Sequence, residues 1–119
     1  MKDLLIIGGG TGGIMTAAQF LKKGGVNVTI LEPAEYHYYQ PAWTLVGANA
    51  YDFEKTKRTM ASVMPKGVNW IKEFASSFDC ANNSVITSSG KTLKYDYLVV
   101  SPGIKIDTLA FGTPNPLLA

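Results

Sequence analysis

The chain has 119 residues, is 46% hydrophobic and 17% charged, and carries a formal net charge of +2 with a mean hydropathy of +0.07. This composition argues for one globular domain, against intrinsic disorder, and against a field strong enough to gather nucleic acid. No apolar run approaches the roughly 18 to 20 residues that cross a bilayer; Cys80, the single cysteine, excludes an intramolecular disulfide or a four-cysteine metal site and agrees with a reducing compartment.

The first predicted element is a short buried strand, Lys2 to Ile7. One lysine and a short apolar run lead straight into glycines, which reads as a mature N-terminus rather than a signal peptide. The glycine cluster "GGGTGG" breaks the strand, and a helix follows with Ile14, Ala17, Ala18 and Leu21 at i, i+3, i+4 and i+7. Lys22, Lys23 and the pair Gly24-Gly25 mark its end. "VNVTILE", Val26 to Glu32, is β-branched and predicts a second strand. Such a strand, helix, strand unit needs a right-handed crossover, which sets the glycine turn at the carboxyl edge of a parallel sheet.

The stretch "EYHYYQPAW", Glu35 to Trp43, is predicted to be an aromatic-rich connection. Then "DFEKTKRTMASVMP" predicts a short helix that Pro65 ends. "VNWIKEFASSFD" reads as one strand, "NSVITSSGKTLKY" as a hairpin turning at "SSGK", and "DYLVVSPG" as a return strand, apolar from Leu98 to Val100. The tail "IKIDTLAFGTPNPLLA", with Pro114 and Pro116, shows little periodicity.

Gly8, Gly10 and Gly13 satisfy GxGxxG, a weak pattern alone in a chain with 12 glycines. Its context is stronger: it follows a predicted strand, opens a predicted helix, and has Glu32 about 20 residues further on, at the end of the next strand. Gly8 permits the tight turn, Gly10 lets backbone approach a pyrophosphate, and Gly13 lets helix pack on strand. The helix N-terminus adds free N–H groups and about half a positive charge. The Glu32 carboxylate suits both hydroxyls of an adenosine ribose. It disfavours a 2′-phosphate, since like charges about 4 Å apart cost about 1 kcal/mol in water and about 4 kcal/mol at an effective dielectric near 20. This geometry does not separate NAD from FAD.

"IIGGGTGGIMTAAQFLKKGGVNVTILEP", "YHYYQPAWTLVGA", "ASVMPKGVNWIKE" and "YDYLVVSPG", in this order, resemble the N-terminal part of the sulfide:quinone oxidoreductases. These are flavoproteins with two dinucleotide-binding domains, related to type II NADH dehydrogenases. The resemblance runs from Leu4 to about Asp107 and is most specific in its two middle segments. It implies a Rossmann-like α/β FAD-binding fold with a β-hairpin insertion, spanning 1–119 as one incomplete domain of a larger protein. It further implies that Gly8, Gly10, Thr11, Gly12 and Gly13 hold the FAD pyrophosphate and Glu32 the ribose. Gln40 and Pro41 would meet the cofactor near its flavin end, Ala75 would meet the adenine, and Gly103 would allow close approach at the end of the return strand. Pro102 departs from the family's commoner threonine and removes an N–H.

On this resemblance Tyr38, Tyr39 and Trp43 are candidates either for walls of the flavin pocket or for a seal over the sheet. His37 is either a proton carrier or a surface hydrogen-bonding group. The family passes electrons from sulfide through FAD to quinone by way of a cysteine pair, and Cys80 does not match either position. The chain is thus expected to be inactive alone, with exposed strand edges that a homo-oligomer or a missing C-terminal portion would cover. The resemblance implies a cytoplasmic or peripheral membrane location, and the lack of a visible presequence favours a bacterial source over an organellar one. The alternatives are a type II NADH:quinone oxidoreductase fragment and a non-catalytic nucleotide-binding module.

Overall fold

A computed structural model describes residues 1–103; the predicted aperiodic tail lies outside them. Four parallel strands form the central sheet in the order β5-β2-β1-β9, with β1 Lys2–Ile7, β2 Val26–Leu31, β5 Asn69–Ile71 and β9 Tyr97–Val100. Helix α1, Thr11–Lys23, makes the crossover from β1 to β2, which pair in register from Lys2 with Val26 to Ile7 with Leu31. On the other side of β1, Leu4 lies opposite Tyr97 and Ile7 opposite Val100. The strand order therefore reverses at β1, and the glycine loop leaves the sheet at that switch point, between the ends of β2 and β9.

Both faces of β1 are covered, which is why its sequence is a continuous apolar run rather than an alternation. Leu4 and Ile6 point toward α1 and form one core cluster with Ala17, Val28 and Ile30. Leu5 and Ile7 point the other way and meet Leu31 and Val85. Val85 belongs to an antiparallel sheet of β6 Ala75–Asp79, β7 Ser84–Thr87 and β8 Thr92–Lys94 that covers this second face.

The predicted helix face needs one change. Ala17 is buried, Ile14 and Leu21 are half-buried, but Ala18 is exposed and Gly13 takes its place against the sheet. Ala18 stands about 100° around the helix from Ala17, so a face centred on Gly13 and Ala17 turns it to solvent. Gly24 ends α1 as predicted, with a φ of +79° and its N–H donated to the Phe20 carbonyl at 2.9 Å.

Three other expectations are revised. "VNWIKEFASSFD" is two strands in two sheets: β5 ends at Ile71, and β6 begins at Ala75 after a turn in which the Glu73 N–H is donated back to the Ile71 carbonyl. The segment before Pro65 is not one helix but a 3-10 turn at Phe53–Thr56, strand β4 at Lys57–Thr59 and a single helical turn, α3, at Met60–Val63. The aromatic connection contains strand β3, Tyr36–Tyr38, paired antiparallel with β4, and then a short helix, α2, at Trp43–Gly47. In all three, pairing with a remote segment overrides the local pattern.

The hairpin turns where predicted and is held by Glu73. Its carboxylate accepts the Ser89 N–H at 2.9 Å, and the Ser89 hydroxyl, then the Thr87 hydroxyl and the Ser89 amide, draw its pKa from 4.5 to about 2. A carboxyl whose folded pKa is depressed stabilises the fold fully above its unfolded value, and that contribution is lost as pH falls through the folded value. Carboxyl NMR titration should therefore place the Glu73 midpoint near 2. Glu73→Gln should abolish its share of the stability change between pH 4.5 and about 2, and a midpoint at 4.5 would contradict the turn contact.

The return strand β9 forms as predicted, but at an edge. Among the described residues it pairs with β1 alone, and Tyr97 and Val100 are 57% and 56% exposed. Phe74 and Phe78, beside the carboxyl end of the sheet, are also exposed.

Candidate dinucleotide site

The glycine loop is built by backbone contacts that only glycine permits. Its entry is tied on both sides: the Gly8 N–H is donated to the Leu31 carbonyl at 2.9 Å, and the Ser101 N–H to the Ile7 carbonyl at 2.7 Å. Gly8 has a φ of +110°, and a Cβ there would lie 2.0 Å from the Ser101 carbonyl oxygen. A Cβ at Gly13 would lie 1.9 Å from the Gly8 carbonyl oxygen, so this glycine sets the closest approach of α1 to the loop. Gly10 differs from both. A Cβ there would meet nothing within 4 Å, because the residue faces open space.

That space is a cavity of about 590 Å³, within the usual range for a small-molecule site. Of the residues predicted to bind a cofactor, Gly10, Thr11, Gly12, Glu32, Gln40, Pro41 and Gly103 all line it. Gly8 and Gly13 stand behind it as architecture. Ala75 lines a neighbouring cavity of about 340 Å³ with Gly8, Pro33 and Phe74, and Glu32 and Pro102 border both spaces.

The start of α1 suits an anion. Gly10 is its N-cap with no side-chain hydrogen bond, and no acidic residue occupies the first turn. The first N–H groups of a helix have no partner within it and carry the positive end of its dipole. The open helix start and the cavity beside Gly10 thus suit an anionic group such as a phosphate.

Glu32 is aimed by its own backbone. Its N–H is donated to the Ile71 carbonyl at 3.0 Å, and its carbonyl accepts the Trp70 indole N–H at 3.0 Å. The side chain turns inward: one carboxylate oxygen accepts the Gly9 N–H at 2.8 Å and the other the Ala34 N–H at 3.0 Å. Each oxygen keeps a further lone pair for a hydroxyl. This link from Glu32 to Gly9 is absent from the sequence-based expectation, as is the contact of His37 Nδ1 with the Gly9 carbonyl at 3.2 Å.

The aromatic stretch divides its labour. Tyr38 lines the cavity, together with Tyr36 and His37. Trp43 and Tyr39 do not, which corrects their candidacy as pocket walls. Trp43 instead packs with Tyr38 and Phe53, ring centroids 6.0 and 6.2 Å away, and donates its indole N–H to the buried Thr56 hydroxyl at 3.3 Å. Tyr39 is 53% exposed. Glu35, just before β3, is ion-paired with Lys72, which lowers its pKa through hydrogen bond and charge together. Period-two placement of Tyr36 and Tyr38 was the signal for β3; the stretch was too short to read it. Cys80 is exposed in the turn between β6 and β7 and lines none of these cavities.

The family model for pyridine nucleotide-disulphide oxidoreductases matches residues 2–115. Mouse mitochondrial sulfide:quinone oxidoreductase is 42% identical over 106 residues, which cover 88% of this chain and 24% of that protein. The X-ray structure of the Aquifex aeolicus sulfide:quinone oxidoreductase superposes with a TM-score of 0.76 at 34% identity, over 87% of this chain and 24% of that one. A Plasmodium falciparum NDH2 structure shares the fold at 20% identity and a TM-score of 0.66, over 91% of this chain and 23% of that one. The chain spans about a quarter of the length of these relatives. Since one relative is mitochondrial and another bacterial, the expected preference for a bacterial source has no support. The chain belongs to the pyridine nucleotide-disulphide oxidoreductase family, and within it is homologous to the N-terminal region of the sulfide:quinone oxidoreductases.

Proposed function

We propose that this chain builds the FAD-binding portion of a sulfide:quinone oxidoreductase. The observation that carries the reading is one cavity that gathers the glycine loop, Glu32, the Gln40–Pro41 turn and Gly103 from four separate parts of the chain. In this reading Gly10, Thr11 and Gly12 receive the pyrophosphate at the start of α1, while Gly8 and Gly13 hold the loop's shape. Glu32 accepts the ribose hydroxyls, and Ala75 in the adjoining cavity borders the adenine. Gln40, Pro41 and Gly103 border the flavin end, where Tyr36 and Tyr38 supply flat apolar walls.

Bound FAD would supply a two-electron acceptor for sulfide and a donor to quinone. This chain's own residues bind and orient it; with one cysteine, exposed and outside the cavity lining, they provide no thiol pair for the sulfide step. Sulfide and quinone are therefore partners of the larger protein of which this is one incomplete domain. That protein would work at a membrane surface, where quinone dissolves; among the described residues no helix is long and apolar enough to cross a membrane. The exposed β9 edge with Tyr97 and Val100 is where further chain, or a second copy, would cover the sheet.

The test is the visible absorption spectrum of the purified chain after FAD is added and the excess removed by gel filtration. Retained flavin with bands shifted from those of free FAD is the expected result. A colourless protein that binds ADP or NAD tightly would replace this reading with a nucleotide-binding module. A chain that retains neither would remove the working half-site altogether.

A further inference from the structure

The Gly9 residue is gripped from both sides. Its N–H is donated to the Glu32 carboxylate at 2.8 Å, and its carbonyl oxygen lies 3.2 Å from His37 Nδ1. A carbonyl oxygen only accepts, so the second contact is a hydrogen bond when Nδ1 carries the proton. Across a trans peptide the N–H and C=O point in opposite directions. With the Gly9 N–H turned to Glu32, the Gly8 carbonyl is sent the other way, toward α1, where it meets the position of a Gly13 Cβ. By the same rule, a Gly9 carbonyl held at His37 sends the Gly10 N–H away from His37. No hydrogen-bond partner for that N–H exists among the described residues.

We propose that His37 is a positioning residue of the glycine loop: by holding the Gly9 carbonyl it presents the Gly10 N–H to an anionic phosphate. The peptide between Gly9 and Gly10 has glycine on both sides, so no Cβ resists its rotation. A flipped peptide would offer the anion a carbonyl oxygen in place of a donor. His37 is well placed to prevent this because its strand is itself pinned. β3 pairs with β4, His37 lying opposite Arg58, the Met60 N–H is donated to the Glu35 carbonyl at 2.7 Å, and the Lys57 ammonium sits 4.2 Å from the centre of the Tyr36 ring. The imidazole is half-buried on the cavity wall. This inference rests on the dinucleotide reading of the cavity.

The experiment combines two measurements on the chain. One is the ¹⁵N NMR tautomer of the His37 imidazole without ligand. The other is FAD affinity of the chain and of His37→Phe and His37→Asn, with matched unfolding midpoints as a control for folding. The proposal expects the Nδ1–H tautomer, the minor one for free neutral histidine. His37→Phe, a ring without a donor, should bind FAD about threefold to tenfold more weakly, the worth of one net hydrogen bond. His37→Asn, whose amide can donate from near the Nδ1 position, should recover affinity. An Nε2–H tautomer overturns the proposal, as do variants that bind alike. If the chain binds no FAD at all, the cavity reading fails by itself, and the tautomer still decides whether His37 holds the loop.

Discussion

Gly8→Ala should lower stability by about 2 to 6 kcal/mol, among the largest effects expected of a single methyl group in this chain. Two costs combine there. Forcing a non-glycine residue to a φ of +110° costs on the order of 1 to 3 kcal/mol, and the new Cβ, 2.0 Å from the Ser101 carbonyl oxygen, adds overpacking of about 1 to 3 kcal/mol. The neighbour is backbone held by the Ser101 to Ile7 hydrogen bond, so no flexible side chain can yield. Against a total stability of about 5 to 15 kcal/mol for an ordinary domain, such a loss leaves much of the chain unfolded. Gly13→Ala should behave similarly, since its Cβ would strike the Gly8 carbonyl at 1.9 Å.

Gly10→Ala separates architecture from binding. Its Cβ meets no atom within 4 Å and its φ of −75° is ordinary, so stability should change by no more than about 0.5 kcal/mol. FAD affinity should nevertheless fall on the order of tenfold, about 1.4 kcal/mol, because the methyl occupies space proposed for the pyrophosphate. Urea denaturation of the three variants, with a binding titration of the folded ones, checks the contrast. Equal destabilisation by Gly8→Ala and Gly10→Ala would contradict the loop geometry.

After the two loop glycines, Glu32→Ala should have the next largest effect on stability, and Glu32 should also set selectivity. It leaves the Gly9 and Ala34 N–H groups without their carboxylate. Hydrogen bonds to charged groups contribute about 1.5 to 3 kcal/mol each, and water can replace the exposed one at Ala34, so a loss of about 2 to 3 kcal/mol is expected. Glu32→Gln keeps one acceptor and should lose about half as much. Selectivity moves separately. In competition between ADP and its 2′-phosphorylated form, the native chain should favour ADP, and Glu32→Gln should narrow the preference by removing a repulsion of about 1 to 4 kcal/mol. An unchanged ratio would mean that Glu32 serves the loop alone.

These variants also mark what could be read from the sequence. The β1–α1–β2 unit was legible because each of its signals is local: an apolar run, glycines, a 3.6-residue period, a closing glycine pair, and an acid at a fixed offset. The hairpin at "SSGK" and the strand "YLVV" were legible for the same reason. The division of "VNWIKEFASSFD" was not, since β5 pairs with β2 about 40 residues earlier while β6 pairs with β7, and no local pattern encodes which partner is near. β3 and β4 are three residues each and exist through their mutual pairing.

The sequence by itself determined the parallel unit, the glycine turn, the acid beside it and the family, because these depend on residue type and short spacing. Tertiary structure alone decided which aromatic faces the cavity. Tyr38 reaches it and Trp43 does not, because Phe53 and Thr56, brought close by the β3–β4 pairing, hold the indole elsewhere. It also decided that Glu32, just past the end of β2, and His37, in β3, hold opposite ends of Gly9. A hydrogen bond needs both partners within about 3 Å, and only the folded chain sets that distance.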